Sequence, residues 1–169
     1  FLLKSLSIFP QFIFKRVVNK YKLDQHNKHM QPSFSEIVSN LESINDSLFD
    51  GDNELFKKYL DKSKIYGEYG VGVSTVFANR YNNKHTIAVD SDKNWIINVK
   101  NNSLDNNNLE IIHIDLGKLK TWGTPEGYEF RHNFKKYLSA IWGKSLKPDL
   151  VLVDGRFRVA CFLTSLLKA

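Results

Sequence analysis

From residue 64 to residue 154 the chain alternates short apolar runs with helical stretches, and each apolar run carries an acid at its far end. The runs are 64–69, 85–89, 109–114 and 149–153; their acids are Glu68, Asp90, Asp115 and Asp154. Strands of about five residues alternating with helices predict a parallel, doubly wound α/β sheet. Right-handed crossovers then bring every carboxyl strand end to one edge, where ligands of such sheets bind. Four acids on that edge are hard to read as ordinary solvated surface, because helices hide most of the sheet.

The helices between these runs are read over 74–81, 93–100, 131–142 and 157–168. Upstream, Phe34, Ile37, Val38, Leu41, Ile44 and Leu48 recur at helical spacing, and a second short helix covers 52–60. Both are expected to cover one side of the sheet or the mouth of its cleft. With 169 residues the chain divides into an apolar and basic arm with a linker (1–33), a helical cover (34–62) and a Rossmann-like domain (63–169). Cys161 is the single cysteine, which excludes an internal disulfide framework. The formal charge of +6 comes mostly from scattered lysines, so a nucleic-acid partner is disfavoured.

The arm, FLLKSLSIFPQFIFKRVVNKYKL, is interrupted by Lys4, Pro10, Gln11 and Lys15 and is too broken to span a membrane. Phe12, Ile13, Arg16, Val17 and Lys20 fit a short helix packed on the domain or on a second subunit; a membrane surface is the alternative. His26 and His29 lie in a polar linker with no further metal-ligating side chain nearby.

The turn after the first run is Gly70-Val71-Gly72-Val73-Ser74. Glycines there let the chain bend tightly and let a ligand reach the backbone amides that open the next helix. Asp90 follows Gly70 by 20 residues, the distance at which an acid reaches ribose hydroxyls. The segment has neither the third glycine of a dinucleotide fingerprint nor the lysine of a P-loop. Glu68 would repel a pyrophosphate but suits a cationic, zwitterionic ligand such as S-adenosylmethionine.

Segments 66–74, 87–92, 111–115 and 149–160 resemble the class I S-adenosylmethionine-dependent methyltransferase superfamily. They look closest to a small branch with a Val-Asp-Gly-Arg-Phe-Arg-Val-Ala signature, which stands here at 153–160. The resemblance implies a cofactor loop of Glu68, Gly70, Gly72 and Ser74, with Glu68 near the methionine end. It implies ribose on Asp90, the adenine amino group near Asp115, and Asp154 facing the reacting methyl group. It also implies a sheet of order 3-2-1-4-5-7-6, of which only 3-2-1-4 can be read before Ala169. That leaves strand 4 exposed unless the early residues, a partner or chain beyond residue 169 covers it.

Asp154 and His113 are the candidate catalytic groups. Arg156 is expected to offer a fork to a carboxylate or phosphate of the substrate, and Trp122 to lie over the cleft. No metal site is expected. Trp95, Trp142, Phe134 and Tyr137 read as core, and Cys161 as buried and inert. The reading is a cytoplasmic methyltransferase, with a membrane-peripheral placement through the arm as the alternative, acting on oxygen or nitrogen of a small-molecule or glycan-like acceptor and self-associating through the arm or the sheet edge. The alternatives are a non-catalytic methyltransferase-like scaffold and, less favoured, an NAD-dependent oxidoreductase.

Overall fold

A computed structural model describes residues 11–13, 34–39, 48, 53–82, 84–120 and 123–169. Its strands are β1 (Gln11–Ile13), β2 (Ile65–Tyr69), β3 (His85–Asp90), β4 (Leu109–His113) and β5 (Leu150–Val153). Helices are α1 (Phe34–Ser39), α2 (Asn53–Lys62), α3 (Val73–Asn82), α4 (Lys93–Asn102), α5 (Phe134–Ser139) and α6 (Arg158–Lys168). The region read as one helix over 131–142 is α5 flanked by two 3-10 turns, Arg131–Asn133 and Ala140–Trp142.

All strand pairs are parallel, in the order β1-β5-β2-β3-β4. The four strands read from the sequence stand in the expected 3-2-1-4 arrangement. The N-terminal arm departs from expectation. Phe12 and Ile13, read as part of a short helix, instead join Gln11 in a strand in register with Leu150, Val151 and Leu152, so that the early residues cover the β5 edge, one of the expected alternatives. The edge of β5 offers a row of unpaired backbone groups, and an extended segment satisfies them where a helix cannot.

Alternation along the strands divides the core in two. Tyr66, Ala88, Leu150 and Leu152 face one side, packed with Val38, Phe56, Leu60 and Val76 from the first three helices and with Val99 of α4. Tyr69, Ile87, Val89, Val151 and Val153 face the other, packed with Tyr137, Ile141, Trp142 and Cys161. The upstream helices therefore cover a sheet face. Crossover hand accounts for the division: the β1→β2, β2→β3 and β3→β4 steps run one way along the sheet, while β4→β5 runs back. Trp95, read as core, is 45% exposed on α4 and meets Phe34 edge-on at 5.3 Å.

The reversal puts a topological switch point between β2 and β5. There the turns after the two strands touch through their backbones. Gly70 has φ +86°, and a Cβ on it would lie 2.6 Å from the Gly155 Cα. A Cβ on Gly155 would lie 2.6 Å from the Gly70 nitrogen and would also strike the Tyr137 hydroxyl. Gly72, two residues on, has nothing within 4 Å of its Cβ direction.

Gly155→Ala should cost about 2–4 kcal/mol through overpacking that neither turn can relieve, lowering the unfolding midpoint by about 5–15 °C. Gly72→Ala should change stability by no more than about 0.5 kcal/mol. Thermal melts of the two variants check the contrast.

Candidate functional site

The β2 turn is organised by side chains that satisfy its backbone. The Gly72 N–H donates to Thr75 Oγ1 at 2.9 Å, and the Val71 N–H to Asp90 Oδ2 at 2.8 Å. Asp90 Oδ1 also accepts the N–H groups of Ser91 (2.6 Å) and Asp92 (2.8 Å). One carboxylate thus ties the glycine turn to the turn after β3. Burial raises the Asp90 pKa, and the three N–H donors oppose that rise. A carboxylate has about four lone-pair positions, so roughly one remains for a ligand hydroxyl. Asp92, next along, caps α4 by accepting from Asn94 N–H at 2.8 Å.

Glu68 lies beneath the turn, fully buried. Ser74 Oγ donates to its Oε1 at 2.5 Å, while Oε2 and the neighbouring buried Tyr66 hydroxyl have no hydrogen-bond partner. Burial pushes the Glu68 carboxyl up to about 8, against the pull of the Ser74, Thr75 and Tyr66 hydroxyls and with Asp154 adding to the rise; the Tyr66 hydroxyl is close enough to act on the carboxyl but forms no well-directed hydrogen bond with it. Asp154 leaves β5 on the same sheet face. Burial pushes it up to about 6, opposed by Arg158 and Arg156. Its Oδ1 is 3.3 Å from Arg158 Nη2.

The β5 turn is tightly held. The Arg156 N–H donates to the Tyr137 hydroxyl at 3.2 Å, and the Arg156 carbonyl accepts from the Cys161 thiol at 3.1 Å. Burial pushes that thiol up to about 12. Phe157 has φ +55°, a left-handed conformation costly for a residue with a Cβ. Its ring is pinned against Phe134 (4.6 Å) and Tyr137 (5.9 Å), which fixes the turn in that shape.

A hairpin crosses above. Lys120 N–H bonds Thr124 O at 2.7 Å, and Glu126 N–H bonds Lys118 O at 2.8 Å. Leu116 is buried at its base, where Gly117 (φ +84°) packs against the Phe130 ring. Near the tip, Gly123 sits between the β3 and β5 turns: its Cβ direction reaches Ser91 Oγ at 4.0 Å and Arg156 Nε at 3.9 Å. Arg156 Nη1 donates to Thr124 Oγ1 at 3.0 Å. The connection after β4 therefore reaches the β3 and β5 turns through Gly123 and Thr124.

Of the residues singled out in the sequence, Glu68, Gly70, Gly72, Ser74, Asp90, Asp154 and Arg156 gather around the β2, β3 and β5 turns. His113 and Asp115 stand at the other end of the edge. The His113 ring nitrogen Nε2 is 3.2 Å from the Ser91 carbonyl, and β3 and β2 lie between β4 and β5. Three strand spacings of about 4.8 Å separate His113 from Asp154, so the two do not form a pair. Asp115 is exposed and accepts from the Gly117 N–H at 2.8 Å. Trp122, and the histidines His26 and His29, lie outside the described residues. Among the described residues no cluster of His, Cys, Asp and Glu is suited to a metal, and no helix is long and apolar enough to cross a membrane.

Sequence reasoning missed Tyr137, Gly155, Phe157 and Thr124. Tyr137 has the spacing of a core residue, and nothing local announces the bond from its ring hydroxyl to a turn 19 residues away.

No protein-family model matches the chain, and no curated protein matches it. The solved structure of a methyltransferase-like protein from Silicibacter pomeroyi DSS-3 is similar to it, with 31% identity and a TM-score of 0.58. The match covers 66% of this chain and 61% of that one, so the chain spans about three fifths of that protein's length. The chain shares a methyltransferase-like fold with it.

Glu68 holds its proton to higher pH when folded than when unfolded. The stability this supplies is complete below the ordinary glutamate value of 4.5 and is lost as pH rises through about 8. Glu68→Gln should therefore flatten the pH dependence of stability over that range. It should melt above the wild type at pH 8.5 and level with it near pH 4, as pH-resolved thermal melts would show (roughly half a unit outside the two limits).

Proposed function

We propose that the crevice at the β2–β5 switch point belongs to an S-adenosylmethionine-dependent methyltransferase acting on oxygen or nitrogen of a small-molecule or glycan-like acceptor. The observation that carries the reading is the open Cβ direction of Gly72, beside a turn that Asp90 ties in place. Gly70 is required by packing alone; Gly72 is not, and an uncrowded glycine on the ligand edge fits close approach of a bound molecule. The likeness to a methyltransferase-like protein supports the same class.

The residues present fit the cofactor. Gly72 and the amides that open α3 would receive its amino-acid portion, with the orphaned Glu68 Oε2 below as the acid for its ammonium group. The remaining acceptor position of Asp90 would take a ribose hydroxyl. Bound there, the cofactor supplies an electrophilic methyl group on a sulfonium sulfur.

The chain's own residues do the rest. Asp154 is held by Arg158 and has its proton affinity raised toward the neutral range, which suits it to orient an acceptor hydroxyl or amine and take its proton. Arg158 keeps the carboxylate in one orientation. Positioning of the acceptor against the methyl donor accounts for much of the expected acceleration.

A non-catalytic scaffold is favoured by one observation: Gly70 and Glu68 both have structural duties that need no ligand. Calorimetric titration with S-adenosylmethionine and S-adenosylhomocysteine, with NAD as control, separates the readings. The wild type should bind the first two and not NAD. Asp90→Ala should lose binding, and Gly72→Val should weaken it more than tenfold (about 1.4 kcal/mol or more) with an unchanged melt. Absence of binding to folded wild type would contradict the enzyme reading.

A further inference from the structure

Arg156 is half-buried at the β5 turn; its charge lowers the Asp154 pKa through space, but among the described residues no carboxylate forms an ion pair with it. Asp154, the acid beside it, is taken by Arg158 at 3.3 Å. With Asp154 ionised, these three side chains together keep one positive charge. The Arg156 side chain donates instead to a neutral acceptor, the Thr124 hydroxyl on the hairpin after β4, at 3.0 Å. A guanidinium has five N–H donors in a rigid plane, and one bond from Nη1 fixes that plane without exhausting it.

Both ends of the side chain are set. Its backbone is pegged by the Tyr137 hydroxyl and the Cys161 thiol, and its tip by Thr124. A solvated surface arginine has no use for such anchoring. A partly desolvated cation with spare donors matches an oxyanion, which a planar fork binds through two parallel bonds.

We propose that Arg156 is an oxyanion-recognition residue, that the acceptor carries a phosphate or carboxylate group which it binds, and that Thr124 is the positioning residue that aims it. That the anion belongs to the acceptor rests on the reading of the crevice as a methyl-donor site. The oxyanion site itself does not.

The test is nitrogen-15 NMR of the arginine Nε–Hε signals of the full chain. Inorganic phosphate and acetate are titrated separately at constant ionic strength, with chloride as the control. Arg156→Lys, checked for folding by its melt, assigns the Arg156 signal by its loss. That signal should shift saturably with phosphate, with acetate or with both, and not with chloride; the anion that saturates at lower concentration identifies the group. Arg80, whose Nε and Nη2 bond the Asn102 carbonyl, serves as an internal reference and should not move. Thr124→Val should weaken the titration several-fold. The shift should persist when S-adenosylhomocysteine saturates the chain.

A linear drift shared with Arg80, or no shift with either anion, would overturn the oxyanion site. An unchanged titration in Thr124→Val would overturn the role of Thr124. Loss of the shift on adding S-adenosylhomocysteine would overturn the assignment to the acceptor. Failure of S-adenosylhomocysteine to bind, with the anion titration intact, would count against the methyltransferase reading while leaving the oxyanion site standing.

Discussion

The contact between Gly70 and Gly155 sets the rest of the site. Two turns from strands that neighbour each other in the sheet, but lie 85 residues apart in sequence, meet backbone to backbone at the switch point. Because neither position tolerates a Cβ, the turns hold a fixed separation. Everything attached to them inherits that geometry: Gly72 and Ser74 on one side, Asp154 and Arg156 on the other. Asp90 extends the frame to a third turn by accepting the Val71 N–H. The site is preorganised by the backbone contact of the two turns and by the buried side chains that satisfy them, Asp90 and Thr75 on one and Tyr137 on the other.

The frame also concentrates acidity in a dry place. Glu68 and Asp154 share a sheet face, and burial raises the proton affinity of both. Two carboxylates so placed resist ionising together, and a cation nearby relieves them. Arg158 does this for Asp154 within the chain. Glu68 has only hydroxyls, those of Ser74, Thr75 and Tyr66, to offset its burial, and its Oε2 lacks a well-formed hydrogen bond, a costly condition for a buried polar atom. The cost makes sense at a site that exchanges a proton or a water for a charged ligand.

Much of this was legible in the sequence, and for definite reasons. Strand–helix alternation and right-handed crossovers predict a parallel sheet with Glu68, Asp90 and Asp154 on one edge, because these follow from local periodicity and chirality; the order of the four strands rests on the resemblance to methyltransferases. What escaped depended on contacts between distant segments. Periodicity 2 or 3.6 says nothing about which segment covers β5, so Phe12 and Ile13 read as helix although they lie in a strand. Gly70 reads as serving both a tight turn and ligand approach; its φ of +86° fits the turn, while the atoms nearest it belong to Gly155. His113 and Asp154 both end strands, and only the strand order shows how far apart they stand. Trp95 follows the bulk of an aromatic side chain into the core by expectation, yet it remains largely on the surface against Phe34.

The central claim is that a ribose-bearing, cationic cofactor occupies the crevice framed by the β2, β3 and β5 turns. A crystal structure of the chain grown with S-adenosylhomocysteine tests it most directly. The account predicts ligand density along the open side of Gly72, with a ribose hydroxyl on Asp90 and the Gly70–Gly155 contact unchanged. A crevice filled only by water at saturating ligand, or ligand bound away from these three turns, would contradict it.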